Sequence, residues 1–207
     1  FALWYSTFHH DQHVAFIAQK YDMARACVDD IRFMYENLPS FLKNGVRQYS
    51  YDMIEFDNGS DIYFRGCSVD CLRGRTINLL LLDDFAYVNS QRAREFWFSN
   101  LPIISHGGKA IINTCMFGNS DLLKDIWDNN SDRWKRMIVP WSIHPNRNDE
   151  WLSFNKDAIG EERFRQEYLD FGVECYRHAN NQISKIWTWF NHMKQLDAGE
   201  AVEINAS

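Results

Sequence analysis

The chain is short of the residues that break regular structure: among 207 residues there are 4 prolines and 10 glycines. That excludes a linker-dominated or low-complexity protein. No apolar run approaches the roughly 20 residues a membrane-crossing helix needs. The 5 cysteines (Cys27, Cys67, Cys71, Cys115, Cys175) cannot all pair within one chain. Cys67-x3-Cys71 also lacks the second pair or nearby histidine that would complete a zinc site. Reduced thiols in a cytoplasmic protein are the simpler reading. Positive charge is scarce as well, with 22 Lys+Arg against 28 Asp+Glu and a net charge of −6. Binding of nucleic acid by bulk electrostatics is thereby disfavoured. A local basic surface from Arg92, Arg94, Arg133, Lys135 and Arg136 remains open, although each cluster taken singly reads as a solvated helix face. His9, His10 and His13 have only Asp11 beside them and read as a solvated helix end rather than a metal site. Finally, Gly-x-x-x-x-Gly-Lys-[Ser/Thr], the loop whose backbone N–H groups and lysine cradle phosphates, occurs nowhere in the sequence.

What is present is an alternation of strand and helix patterns. Residues 1–8 read as a helix already under way, so something that belongs upstream is expected to be missing. Residues 14–18 form an apolar strand, and 19–38 an amphipathic helix closed by Pro39. Residues 51–56 and 61–64 alternate around Asn58-Gly59, a hairpin signal in which that pair supplies the positive φ angles of a tight turn. Strands are expected at 79–82, 109–114 and 133–139, and helices at 91–98 and 122–127. Two short helices broken at Gly160 should fill 149–169, and a Trp-rich helix 180–195. Alternation of this kind predicts an α/β sheet covered by helices on both faces.

The most informative segment is Leu79-Leu80-Leu81-Leu82-Asp83-Asp84-Phe85-Ala86-Tyr87-Val88. Leucines without polar interruption form a strand buried on both faces. The strand ends in adjacent carboxylates, where parallel sheets bind their ligands. This is the form of a Walker B segment: the first acid holds Mg²⁺ of a nucleoside triphosphate and the second orients the attacking water. A strand followed by an acidic turn is the bland alternative.

Read in order, several blocks resemble the ATPase domain of large terminase subunits, the DNA-packaging motors of tailed bacteriophages. They are Ile54-Glu55-Phe56-Asp57-Asn58-Gly59-Ser60, Ser68-Val69-Asp70-Cys71-Leu72-Arg73-Gly74, and the leucine–aspartate segment. Ile111-Ile112-Asn113-Thr114-Cys115-Met116-Phe117-Gly118, Asp125-Ile126-Trp127 and Phe164-Arg165-Gln166-Glu167-Tyr168 follow. The resemblance covers roughly residues 1–172, with a non-matching helical tail over 173–207.

The resemblance implies a mostly parallel sheet of the P-loop NTPase (RecA-like) type flanked by helices, here lacking the P-loop strand. It implies that Asp83 associates with Mg²⁺ and that Asp84, where the family usually has glutamate, activates water. Aspartate is one methylene shorter than glutamate, and misplacing a catalytic group by about 1 Å can cost on the order of 10²-fold in rate. Asn113 and Thr114 lie in what resembles the coupling segment, where a hydroxyl senses the γ-phosphate. Arg73 either reaches nucleotide phosphate, in its own or a neighbouring subunit, or pairs with Asp70 to hold its loop.

The implied cofactors are Mg²⁺ and ATP. The implied partners are double-stranded DNA, the portal and the small terminase subunit, in the cytoplasm of an infected cell. With no phosphate loop, this chain alone is expected to bind ATP weakly and hydrolyse it negligibly. The alternative is a terminase-derived module that binds DNA or packaging proteins without turnover. A sheet lacking a central strand is further expected to self-associate, or to be covered by Trp187, Trp189 and Phe190.

Overall fold

The structure, a computed structural model, describes residues 1–105, 107–114, 121–128, 134–137, 141, 144–164 and 168. The expected tail helix at 180–195, with Trp187, Trp189 and Phe190, lies outside these residues. So do Cys115 and Cys175. The chain divides into two compact units, Phe1–Arg136 and Met137–Ser207.

The first unit is built on helix α1 (Ala2–Phe8), strand β1 (His13–Ala18), helix α2 (Tyr21–Glu36) and strands β2 (Val46–Tyr49), β3 (Met53–Phe56), β4 (Asp61–Gly66) and β5 (Leu79–Asp83). Helix α3 (Ser90–Ser105), strand β6 (Lys109–Asn113) and helix α4 (Asp121–Asp128) complete it. The strands form one sheet in the order β2-β3-β4-β1-β5-β6. The four strands β4, β1, β5 and β6 run parallel, while β3 pairs antiparallel with both β4 and β2. This is the mostly parallel α/β sheet flanked by helices that the sequence predicts. The expected shortfall of a strand leaves no gap inside it: the sheet is continuous, and β6 has a neighbour on one side only among the described residues.

Side-chain alternation along the strands sorts the core into two layers. Val14 and Ala18 of β1, Ile62 and Phe64 of β4, and Leu79 of β5 face α1 and α2, meeting Leu3, Ala24, Val28 and Ile31. Ala15 and Ile17, Tyr63, and Leu80 and Leu82 face the other way, against Ala93, Phe96 and Trp97 of α3 and Leu122 and Leu123 of α4. The spacing Ala24, Val28, Ile31 is the i, i+4, i+7 stripe that seats α2 on the sheet. The crossover at 67–78 plugs the α3 layer with Leu72 and Ile77.

Several expectations need correction. Strand β2 shows no clear periodicity in sequence; three of its four residues are exposed, and pairing with β3 makes it a strand. In the β3–β4 turn only Gly59 has positive φ (+83°). Asn58 instead works through its side chain. Its Oδ1 accepts from the Ser60 N–H at 3.0 Å, and its Nδ2 donates to the Ser6 and His9 carbonyls at 2.8 and 3.1 Å, closing the end of α1. His13 opens β1 and pairs with Asp61 at 2.6 Å, so it is not part of a solvated helix end. Helix α3 runs well past residue 98 and through Pro102. Residues 134–137 of the expected strand at 133–139 carry no regular structure, and residues 133, 138 and 139 lie outside the described set.

In the second unit, α5 (Asp149–Ile159) is capped by Asn148, whose side chain accepts from the Trp151 N–H. Gly160, at φ +82°, breaks it from α6 (Glu161–Phe164), as the sequence predicts. Trp151 collects Trp141, Phe164 and Tyr168 around itself, and the Arg147 guanidinium sits 4.8 Å from its ring centre.

Candidate functional site

In an open parallel sheet, ligands bind beyond the carboxyl ends of neighbouring strands whose connections leave in opposite directions. Here β1 leaves through α2, on one face, toward β2–β4; β5 leaves through α3, on the other face, toward β6. The switch point therefore lies between β1 and β5. At that place β1 is followed by Gln19, and β5 closes on Asp83 with Asp84 next. Gly66, at the end of β4, lets α2 approach, since a Cβ there would sit 2.7 Å from the Tyr21 nitrogen.

Asp83 alternates with Leu79 and Leu81, so its side chain belongs to the α1/α2 face. Its register partner is Asn113 of β6, whose Nδ2 donates to Asp83 Oδ1 at 2.9 Å. Oδ2 has no hydrogen-bond partner among the described residues. Cys27 of α2 is near enough to feel this carboxylate. Burial, then Asp83 and Asp30, push its thiol up to about 11, so it stays neutral beside the acid at ordinary pH.

Asp84 is left-handed, at φ 50° and ψ 39°. Few residues other than glycine, asparagine and aspartate adopt this conformation without cost. Its N–H donates to the Asn113 carbonyl at 2.9 Å, and its carbonyl accepts from the Tyr87 N–H at 3.0 Å, opening a 3-10 turn over Phe85–Tyr87. Thr114 Oγ1 accepts from the Ala86 N–H at 3.0 Å. Phe85, Ala86 and Val88 are buried against the α3 layer and anchor the turn from below. Thus Asp83, Asp84, Asn113 and Thr114, four of the residues singled out in sequence, come together at one edge.

Arg73 does not join them. It pairs with Asp70 at 2.9 Å, with 77% of its side chain and 65% of its partner's exposed to solvent. Gly74, at φ +78°, follows, and Arg75 stacks 3.7 Å above the Tyr63 ring, so the loop is held by Arg75 while Arg73 stays outside. Of the candidate basic surface, Arg94 is paired with Asp125 and Arg136 lies over Trp127; Arg133 is outside the described residues.

A single divalent cation bound to nucleotide phosphates needs few protein ligands, because Mg²⁺ keeps waters and phosphate oxygens in its shell. One carboxylate with an oriented first oxygen and an unshared second one fits that requirement. No group of three or more His, Cys, Asp or Glu able to hold a metal exists among the described residues, so the donor set does not suit a metal caged by protein alone. No described helix is long and apolar enough to cross a membrane.

Comparison with known proteins bears on the family and the fold. The family model described as terminase large subunit, T4likevirus-type, N-terminal, matches residues 1–193. The structure is similar to the ATPase domain of the large terminase of Thermus phage P74-26, with a TM-score of 0.60 at 20% identity, covering 82% of this chain and 80% of that one. An arginine-to-alanine mutant of the same domain gives 0.59. The large terminase of another thermophilic bacteriophage gives a TM-score of 0.57 at 12% identity, over 81% of this chain and 42% of that one.

Proposed function

Because this chain belongs to the T4-like terminase large subunit family, a family of DNA-packaging proteins, we propose that the edge formed by β1, β5 and β6 is the magnesium–nucleotide site of a packaging ATPase. In this reading the ATPase domain spans residues 1–172, residues 173–207 do not belong to it, and the parent protein drives double-stranded DNA into a capsid by ATP hydrolysis. It does so in the cytoplasm of an infected cell, with the portal and the small terminase subunit as partners.

The observation that carries the reading is the pair Asp83–Asp84 at the switch point, with Asn113 holding one oxygen of Asp83. Asp83 would hold Mg²⁺, directly or through water, with Asn113 fixing one of its carboxylate oxygens. The metal would neutralise charge on the phosphates as it develops. Asp84 orients the attacking water. Thr114 links the end of β6 to the turn that carries Asp84, so a change at either is felt by the other. Arg73 is held by an exposed ion pair worth little, and exchanges Asp70 for phosphate in its own or a neighbouring subunit.

The 207-residue chain contains no phosphate-cradling loop, so by itself it binds MgATP weakly and turns it over negligibly. Paramagnetic MnATP can test a weak site. The amide resonances of Asp83, Asp84 and Asn113 should broaden first, and Asp83→Ala should abolish the effect. Broadening centred elsewhere would refute the site. Micromolar affinity by calorimetry, with phosphate release that Asp84→Asn removes, would instead refute the weak-binding claim. The second reading, a module that binds packaging partners or DNA without turnover, is favoured by the missing loop. It predicts no selective broadening at Asp83.

A further inference from the structure

The turn 84–88 is held from two sides. From β6, the Asn113 carbonyl takes the Asp84 N–H and Thr114 Oγ1 takes the Ala86 N–H. From β1, Gln19 Nε2 donates to the Tyr87 carbonyl at 2.6 Å. Gln19 is half-buried, directly after the last residue of β1, and 68 positions away in sequence from its acceptor. No family motif quoted above includes it.

We propose that Gln19 is a positioning residue for Asp84. A left-handed aspartate is held only while its surroundings over-determine it. Two internal bonds, Tyr87 N–H to the Asp84 carbonyl and Val88 N–H to the Phe85 carbonyl, close the turn but do not tie it to the sheet. The ties to β6 fix its start and middle; Gln19 fixes its end. Because β1 and β5 flank the switch point, the same amide bridges the segments that leave those two strands. Gln19 touches no reacting group in this account. It acts by holding the far end of the turn whose first residue is Asp84, and this role rests on the reading of Asp84 given above.

The side chain must reach a carbonyl and donate to it, which sets the test. Gln19→Leu keeps bulk and loses the donor; Gln19→Glu keeps length and presents an acceptor to an acceptor; Gln19→Lys restores a donor of sufficient reach. Amide hydrogen exchange in the 207-residue chain, read by NMR, should speed up at Asp84, Ala86 and Tyr87 by about three- to tenfold in the Leu and Glu variants. That is the range expected for one neutral hydrogen bond. Exchange in the buried centres of β1 and β5 should stay unchanged, and Gln19→Lys should return the turn to wild-type rates.

With MnATP, broadening at Asp84 should weaken relative to Asp83 in Gln19→Leu and recover in Gln19→Lys. Unaltered turn exchange in Gln19→Leu, or uniform acceleration throughout the sheet, would overturn the proposal. So would failure of Gln19→Lys to rescue. If the wild-type chain shows no MnATP effect at Asp83 while the exchange pattern holds, the nucleotide reading fails and the Gln19 clamp on the turn stands.

Discussion

At their N-terminal ends the parallel strands close on themselves, while at their C-terminal ends they leave chemistry available. Around the start of β1 and β4, Asn58, Ser60, Gln12 and the carbonyls at the end of α1 satisfy one another, and His13 meets Asp61 at 2.6 Å. Asn78 ties β1 to β6 there: it accepts from the His13 N–H with its side chain and from the Lys109 N–H with its carbonyl. At the other end, two carboxylates stand on consecutive residues. One of them has an oxygen without a partner among the described residues, and the other is held in left-handed backbone. Both ends are polar and built from the same residue types. The difference lies in what is left over: at the first end it is the buried hydroxyls of Ser6 and Thr7, neutral and shut away from solvent, and at the second it is an oxygen of a carboxylate, so the first end supports the fold and the second is fit to meet something from outside.

Replacing Asn58 should cut deepest. Asn58→Ala removes the side-chain donor to the Ser6 carbonyl and the acceptor of the Ser60 N–H, while the His9 carbonyl keeps the Ser60 hydroxyl, for a loss of about 2–3 kcal/mol in chemical denaturation. MnATP broadening at Asp83 should be unaffected. If the nucleotide effect vanished while the fold survived, the separation of the two ends would be wrong.

Next comes alkaline pH. Cys67, directly after β4, has its thiol pushed up to about 12, by burial first and then by Cys71. An unfolded thiol ionises near 8.5. The folded value is the higher, so the stabilisation is complete below about 8.5 and is lost as pH rises toward 12, by roughly 1.4 kcal/mol per pH unit. Thermal midpoints should therefore fall between about pH 9 and 10.5, and Cys67→Ala should flatten that limb.

Asp84→Glu should cost about 1 kcal/mol, because glutamate gains nothing from the left-handed backbone that aspartate tolerates. Asp84→Gly should be neutral or slightly stabilising. Equal stability of the Glu and wild-type chains would mean that the backbone does not select the shorter acid. The smallest effect belongs to Arg73→Ala, whose exposed pair with Asp70 should change stability by less than about 0.5 kcal/mol. A larger loss would mean that Arg73 holds its loop, the work assigned here to Arg75 on Tyr63.

Much of the fold could be read from local pattern. The leucine run of β5, the stripe of α2 and the break at Gly160 each depend on residues within a few positions of one another, where periodicity and backbone preference act directly. The carboxylate pair was legible for the same reason: an apolar strand ending in acids announces its own C-terminal edge. Strand β2 was not legible, because its mostly exposed residues gain their conformation from β3. Nor was Gln19. A glutamine after an apolar strand looks like any strand end until β5 and its turn arrive beside it.

The sequence by itself determined which segments are strands and helices over most of the first unit, and that Asp83 and Asp84 close a buried strand. Tertiary structure alone decided that these acids stand beside a switch between β1 and β5, that Asn113 holds both of them from β6, and that Thr114 and Gln19 hold the turn that follows them. It also left Arg73 with Asp70, away from the acids. The physical reason is range. Propensity and periodicity act over a turn of chain, whereas hydrogen bonds across 28, 30 and 68 residues form only after the sheet has brought their ends together.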